Sequence, residues 1–366
     1  MISTPERQSP NGSSTLVLTP VTPGRPPRLE FAGEPAPAGP RYLRRRSESI
    51  KVLNTYQGSS FPRLLSPRRR TDHALLSVVQ ETYLLGTGPG LVGLGHALGI
   101  PAVSSEDVEQ LCRDLDVQAR AFRTRRLDDQ YPYLMVETVS QKYREGGRLH
   151  SAMVVIAAAV RADGEREVVA VDLAPARDPG YWVEFFTGLR GRGLQDVRLV
   201  TSAAYPGIKD AVIELFPGAA WQLCREHFTD TAMSLIPESD SRAIRRELRQ
   251  LFAHSEGSSA VSAVRRLRDQ LSAGFPKLGA LIEQHEADLL CFYRFPRQHR
   301  ERIWSTAILD RLLKDVSRQS RVVGIFPTRQ ALMRLIGAVV QDRNEEWAAG
   351  FRYFSPASMQ RMATAS

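Results

Sequence analysis

Between Tyr131 and Phe228 three strand-like runs joined by glycine turns give way to alternating helix and strand patterns, and few folds can satisfy that order. YLMVETVSQKY (133–143) and RLHSAMVVIAAAV (148–160) are separated by Glu145, Gly146 and Gly147, a loop too short for anything but an antiparallel hairpin. Asp163 and Gly164 form a second turn signal before REVVAVDLA (166–174). In DPGYWVEFFTGLRGRG the residues Trp182, Phe185, Phe186 and Leu189 recur at helical spacing, and Gly191 or Gly193 ends the helix. A strand DVRLVTS, a helix PGIKDAVIELF and a strand AAWQLC follow. Parallel strands need crossovers of about this length, so the expected fold class is α/β. It is a mixed sheet with helices on both faces.

The flanks read as helical. Beyond Phe228, the runs SRAIRRELRQLFAH, SAVSAVRRLRDQLSAGF and LGALIEQHEADLLCFYRF space their apolar residues by three and four, so residues 229–302 form an all-helical insertion into the sheet region. IWSTAILDRLLKDV (303–316) then starts a final core helix, with Thr306 as its expected cap and Asp310 one turn in, and residues 303–366 end as a helical tail. Upstream, Leu75, Leu76, Val79 and Tyr83 line one helix face, and SSEDVEQLCRDLDVQARAF (104–122) forms a second helix. The chain therefore divides into 1–58, 59–125, 126–228, 229–302 and 303–366.

Charge is distributed unevenly. Residues 1–73 hold 12 Lys and Arg against five Asp and Glu, or +7 of the total +9. The same stretch carries eleven of the 23 prolines, so residues 1–58 are expected to be a disordered basic arm. Arg44–Arg46 and Arg68–Arg70 are the two basic clusters of residues 1–73, and the second suits phosphate contact. Cys112, Cys224 and Cys291 are too few and too scattered for a disulfide framework, which fits a reducing compartment. With no run of eighteen apolar residues, the chain is expected to be cytoplasmic and without a membrane partner.

Five segments carry a resemblance to a known family. They are SSFPRLLSPRRR with ALLSVVQETY, YPYLMVETVSQKYREGGRLHSAMVV, VRLVTSAAYPGIKDAVIELFPGAAWQLCREHF, IWSTAILDRLLKDV and the tail RVVGIFP. In order and spacing the chain resembles the Mutator-type transposases of bacterial insertion sequences over roughly residues 52 to 354. The resemblance implies a ribonuclease-H-like core whose first and fourth strands lie adjacent, a helix-turn-helix-like DNA-binding region at 59–125, double-stranded DNA of element ends as partner, and a homo-oligomer. It also implies two aspartates and a glutamate that hold two Mg2+ or Mn2+ ions, because hard anionic oxygens must clamp both ends of a phosphodiester displacement.

The chain departs from that pattern at all three positions. Glu137 stands at the first aspartate, Ala203 at the second with Ala204 beside it, and Asp310 at the glutamate. Glu137 and Asp310 keep a charge displaced by one methylene, whereas Ala203 removes a ligand. Weak ion binding and little strand cleavage are expected, with Glu137 and Asp310 as the remaining catalytic and metal candidates. Asp172, Asp196 and Asp210 are the nearest alternatives in sequence, Asp172 the least implausible. Cys224 and His227 form a C-x-x-H pair with no second pair to complete a zinc site, so they read as a structural pair. Trp304 reads as core.

The DNA-recognition region departs too. Glycines 86, 88, 90, 93 and 95 with Pro89 interrupt it, and Glu106, Asp107 and Glu109 repel phosphate. The best backbone contacts left are Arg68, Arg69, Arg70, Arg311, Lys314, Arg318 and Arg321. Three functions follow as expectations: a decayed transposase, a non-catalytic DNA-binding regulator or inhibitor of related transposases, or an active nuclease with a recruited third carboxylate.

Overall fold

β1 (Tyr133–Glu145) is the spine of the molecule, and every other strand is placed by it. In the computed structural model, which describes residues 70–84, 105–175, 178, 180–252 and 256–364, β1 pairs antiparallel with β2 (Arg148–Val160) along its whole length, from Tyr133↔Val160 to Glu145↔Arg148. Gly146 and Gly147 close the hairpin at φ 55° and 77°, the pair of positive angles that a two-residue turn between twisted strands requires. β3 (Arg166–Ala174) adds antiparallel to β2. On the other side β4 (Leu199–Ser202) runs parallel to β1, and β5 (Ala220–Leu223) runs parallel to β4. The order is β3-β2-β1-β4-β5, a mixed sheet with the first and fourth strands adjacent, the adjacency that the resemblance implies.

β4 touches only Tyr133–Val136 of β1. Further along, the same edge of β1 is met by the VVGIFP tail, where Phe326 N–H donates to the Lys142 carbonyl at 2.9 Å and Arg144 N–H donates to the Phe326 carbonyl at 3.0 Å. A stretch of β1 around Glu137 is thus left between two partners. The outer edge of β3 is closed by side chains, since Arg125, Arg192 and Arg123 donate to the carbonyls of Val168, Val169 and Val171. Unpaired strand edges recruit other strands, and these guanidinium groups occupy this one.

Helices α1 (Arg70–Leu84) and α2 (Ser105–Thr124) precede the sheet. The arm 1–58, Arg44–Arg46, Arg68, Arg69 and the glycine run 86–95 lie outside the described residues. α3 (Tyr181–Gly191) buries Trp182, Phe185, Phe186 and Leu189 and ends at Gly191. Gly193 then turns the chain at φ 109°, and a Cβ there would stand 2.4 Å from the Leu127 carbonyl oxygen, so only glycine fits. α4 (Ile208–Leu215) is the crossover between β4 and β5. A run of helices follows: α5 (Arg225–Ser234), α6 (Glu238–Leu251), α7 (Gly257–Ser272), α8 (Pro276–Leu289) and α9 (Arg297–Ile303). Their inner faces carry Ile244, Leu248, Ala260, Val264, Leu267, Leu278 and Ile282, while Arg246 and Arg268 pair outside with Glu247, Asp269 and Glu283.

α10 (Asp310–Val323), α11 (Arg329–Ala348) and α12 (Pro356–Thr364) finish the chain. α11 is buried almost all round and packs on α1, α2, β3 and β1. Its Arg334, with a side chain 3% exposed, donates to Glu81 of α1 at 2.7 Å and to both oxygens of Asp116 of α2 at 2.8 and 2.9 Å. No described helix is long and apolar enough to cross a membrane.

Removing one partner of a buried ion pair strands the others, at a cost of about 3–5 kcal/mol. Arg334→Met should therefore lower the urea unfolding midpoint by that equivalent, whereas Arg246→Ala, whose side chain is 72% exposed, should leave it nearly unchanged. Equal midpoints for the two variants would exclude the buried triad as a structural clasp.

Candidate functional site

One residue beyond the register pair Val136↔Ser202 stand Glu137 on β1 and Ala203 after β4. Glu137 is only 4% exposed, so its carboxylate must find its partners inside the protein. Oε1 accepts a short hydrogen bond from Thr306 Oγ1 and lies 3.3 Å from His227 Nδ1. Oε2 accepts from the Tyr205 hydroxyl at 3.2 Å and from the Thr138 N–H at 3.3 Å. Tyr205 is held in place by Thr138, which donates to it at 3.1 Å, and by stacking on Trp182 with ring centroids 5.3 Å apart. Burial pushes the Glu137 carboxyl above its ordinary value, against His227 and the donors from Thr306, Thr138 and Tyr205.

Cys224 and His227 come to Glu137 from the turn after β5. Cys224 is the residue before α5, and its fully buried Sγ lies 3.3 Å from Thr306 Oγ1. His227 sits within the first turn of α5, its side chain 41% exposed but its Nδ1 buried and without a hydrogen bond. The imidazole is lifted from the usual 6.5 to about 9, first by hydrogen bonding to Cys224 and then, against burial, by Glu137. Burial raises the Cys224 thiol, but hydrogen bonds with His227 and Thr306 outweigh it and lower the value. Ligand atoms of Glu137, Cys224 and His227 all lie within 4.8 Å of one another.

The other expected site residues are placed differently. Ala203 turns a methyl group into the buried end of β4, while its carbonyl accepts from the Ser202 hydroxyl and the Tyr205 N–H. Asp310 is the half-buried first residue of α10, and no hydrogen bond or ion pair among the described residues links it to Glu137. Thr306, expected as a helix cap, caps nothing: a 3-10 turn (Ala307–Leu309) intervenes, and the hydroxyl is drawn instead to the buried carboxylate. A charged acceptor outcompetes a backbone N–H for that donor. Asp172 lies in the cross-strand row of Thr138 and Val155, the opposite sheet face from Glu137, and pairs with Arg123 at 3.4 Å and the Tyr181 hydroxyl at 3.1 Å. Asp196 faces Arg198 at 3.4 Å, and Asp210 is exposed on α4.

Of the basic candidates, Arg70 points inward, 9% exposed, and pairs with Asp342 at 3.0 Å and Glu345 at 2.9 Å of α11. Arg311, Lys314, Arg318 and Arg321 are all exposed on α10, spaced so as to share one helix side, and among the described residues only Arg318 is ion-paired, to Asp315 at 2.8 Å. Trp304 packs edge-on against Phe292 and Phe252, with the Arg225 guanidinium 4.2 Å over its ring. Sequence reasoning missed Tyr205 and the true role of Thr306. The only local signal for the latter was its place four residues before Asp310.

Comparison with known proteins decides the family. The profile described as "Transposase, Mutator family" matches residues 47–350. The chain belongs to the Mutator family of transposases. It is 36% identical over 307 residues to the transposase for insertion sequence element IS1081 of Mycobacterium tuberculosis, an overlap covering 83% of this chain and 74% of the relative. It is 30% identical over 307 residues to the transposase for element ISRM5 of Rhizobium meliloti, covering 84% and 77%. With the transposase for IS256 in transposon Tn4001 of Staphylococcus aureus it shares 29% identity over 309 residues, covering 83% and 79%. In this Mutator-family chain the matched span takes in the whole sheet, the Glu137 cluster and α10.

The cluster has a pH signature. A group whose folded value is raised stabilises the fold fully below its unfolded value and loses that contribution as pH rises through the folded one. For His227 the loss runs from 6.5 to about 9, and Glu137, raised from 4.5, adds a loss of the same sign starting lower. In chelator-treated protein the urea midpoint should fall between pH 6.5 and about 9, and His227→Gln should flatten that fall. Parallel pH profiles for the two proteins would show that His227 does not hold its proton against the cluster.

Proposed function

We propose that this Mutator-family chain is a transposase-like protein that binds the double-stranded ends of an insertion element but has lost the strand cutting and joining of its relatives. The observation that carries this reading is the buried methyl of Ala203 standing beside Glu137, where two-metal chemistry needs a second carboxylate. Asp310 has no hydrogen bond or ion pair to Glu137 among the described residues, and the metal-ligating groups clustered with Glu137 are a thiol and an imidazole. This donor set does not fit a pair of Mg2+ or Mn2+ ions, which take hard oxygen ligands. The strand order β3-β2-β1-β4-β5 supports a ribonuclease-H-like core, and the helices interposed before α10 support an insertion into it. DNA binding through the exposed side of α10 is supported by four cations along one face. In this reading the protein acts in the cytoplasm as a homo-oligomer, with α1 and α2 the remnant of the DNA-recognition region.

A regulatory role has an observation in its favour. The sheet and its covering helices form one continuous apolar core with every strand pairing in place, so the fold persists where the carboxylates do not. A folded, DNA-binding, non-cutting relative can occupy element ends or enter mixed oligomers and thereby inhibit intact transposases.

With duplex DNA carrying the flanks of its own gene, the protein should bind with steep salt dependence and leave no nicks in Mg2+ or Mn2+. Replacing Arg311, Lys314 and Arg321 by alanine should reduce the slope of log affinity against log salt by about one for each phosphate no longer neutralised. Cleavage by the unmodified protein would overturn the loss of chemistry, and an unchanged slope in the triple variant would remove α10 from the DNA interface.

A further inference from the structure

We infer that Glu137, Cys224 and His227 form a binding site for a single borderline-soft divalent cation of the zinc class, with three protein ligands and one open position. The inference goes beyond the DNA-binding reading and stands whether or not the chain binds DNA. The pair Cys224 and His227 alone cannot make such a site, and no second pair exists in the sequence. The fold supplies the missing ligand from β1, 87 positions earlier than Cys224, by placing Glu137 at the point where β4 ends.

Three features of the geometry agree. With bonds of about 2.0–2.3 Å, tetrahedral zinc sets its donors about 3.3–3.8 Å apart. His227 Nδ1 and Glu137 Oε1 are already 3.3 Å apart, and the thiol completes a group whose ligand atoms all lie within 4.8 Å. The inner ring nitrogen of His227 is buried and faces the Glu137 carboxylate, so these two donors already converge on one point. Thr306 supplies the outer contact that metal ligands need, since its one hydroxyl touches both Glu137 Oε1 and Cys224 Sγ and orients them together. The donor chemistry selects the ion: thiolate and imidazole favour zinc and disfavour magnesium. The cluster opens to solvent on the His227 side, which leaves a path for entry and a place for a fourth, exchangeable ligand. Bound there, the cation would tie β1 to the start of α5 and offset the buried charge of Glu137.

Cobalt(II) reports such a site directly. Chelator-treated full-length protein titrated with Co2+ should develop a thiolate-to-cobalt charge-transfer band and intense visible bands of a tetrahedral ion, saturating at one ion per chain, displaced by Zn2+ and not by Mg2+. Cys224→Ser should abolish the charge-transfer band, and the double variant Cys112→Ser with Cys291→Ser should retain it. His227→Gln, a change at a partly exposed side chain, and Glu137→Gln should each weaken Co2+ binding by more than Thr306→Val, for which the expected loss is about tenfold. Absence of the charge-transfer band at saturating Co2+, or its survival in Cys224→Ser and loss in the double variant, would overturn the site. Unchanged affinity in both His227→Gln and Glu137→Gln would do the same.

Discussion

The short parallel ladder between β1 and β4 decides where everything else can go. β1 is 13 residues long and β4 only four, so pairing on that side stops at Val136↔Ser202 and the backbone of β1 continues without a strand beside it. Buried backbone and side-chain groups beyond that point have to be met by something other than a ladder. The turn at Ala203–Tyr205, the first residues of α5 and the 3-10 turn after α9 all converge on the gap. Further out the VVGIFP tail resumes contact with the strand. A functional cluster at this place follows from strand lengths as much as from the identity of its side chains.

Glu137 turns that gap into a tightly specified site. A carboxylate removed from water needs compensation from several donors, and here hydroxyls from two separate segments, one backbone amide and a raised imidazole provide it. These partners come from β1, the β4–α4 turn, α5 and the segment leading into α10. Their convergence couples residues far apart in sequence, so alteration of any one leaves a buried polar group unmet. With Ala203 in place, the space beside Glu137 is shared by a thiol, an imidazole and hydroxyls rather than by a second carboxylate.

Much of the sheet was legible because its signals are local. Gly146 and Gly147 demand a hairpin, and the alternation of DVRLVTS, PGIKDAVIELF and AAWQLC demands crossovers, whereas adjacency of the first and fourth strands came from the family resemblance and not from any local signal. The inward helical faces were equally plain from Trp182, Phe185, Phe186 and Leu189. What was not legible concerns partners drawn from elsewhere in the chain. Thr306 has the chemistry of a cap, and only the position of Glu137, 169 residues away, explains why it caps nothing. Arg70 belongs by composition to a basic cluster, yet α11 provides Asp342 and Glu345 to receive it. Nor does a C-x-x-H pair disclose that a glutamate from another strand will complete it.

The clasp made by Arg334 bears on how the molecule is put together as it is synthesised. Its partner Glu81 lies 253 residues earlier, in the first described helix, so that α1 and α2 emerge from the ribosome long before the helix that neutralises their buried carboxylates exists. Until α11 arrives those two helices lack their main packing surface, and folding of this end of the protein waits for nearly the last of the chain. A product terminated before Arg329 would retain the sheet residues but leave Glu81 and Asp116 without a cation. Closure of this end of the described fold therefore depends on translation through to the C-terminal helices.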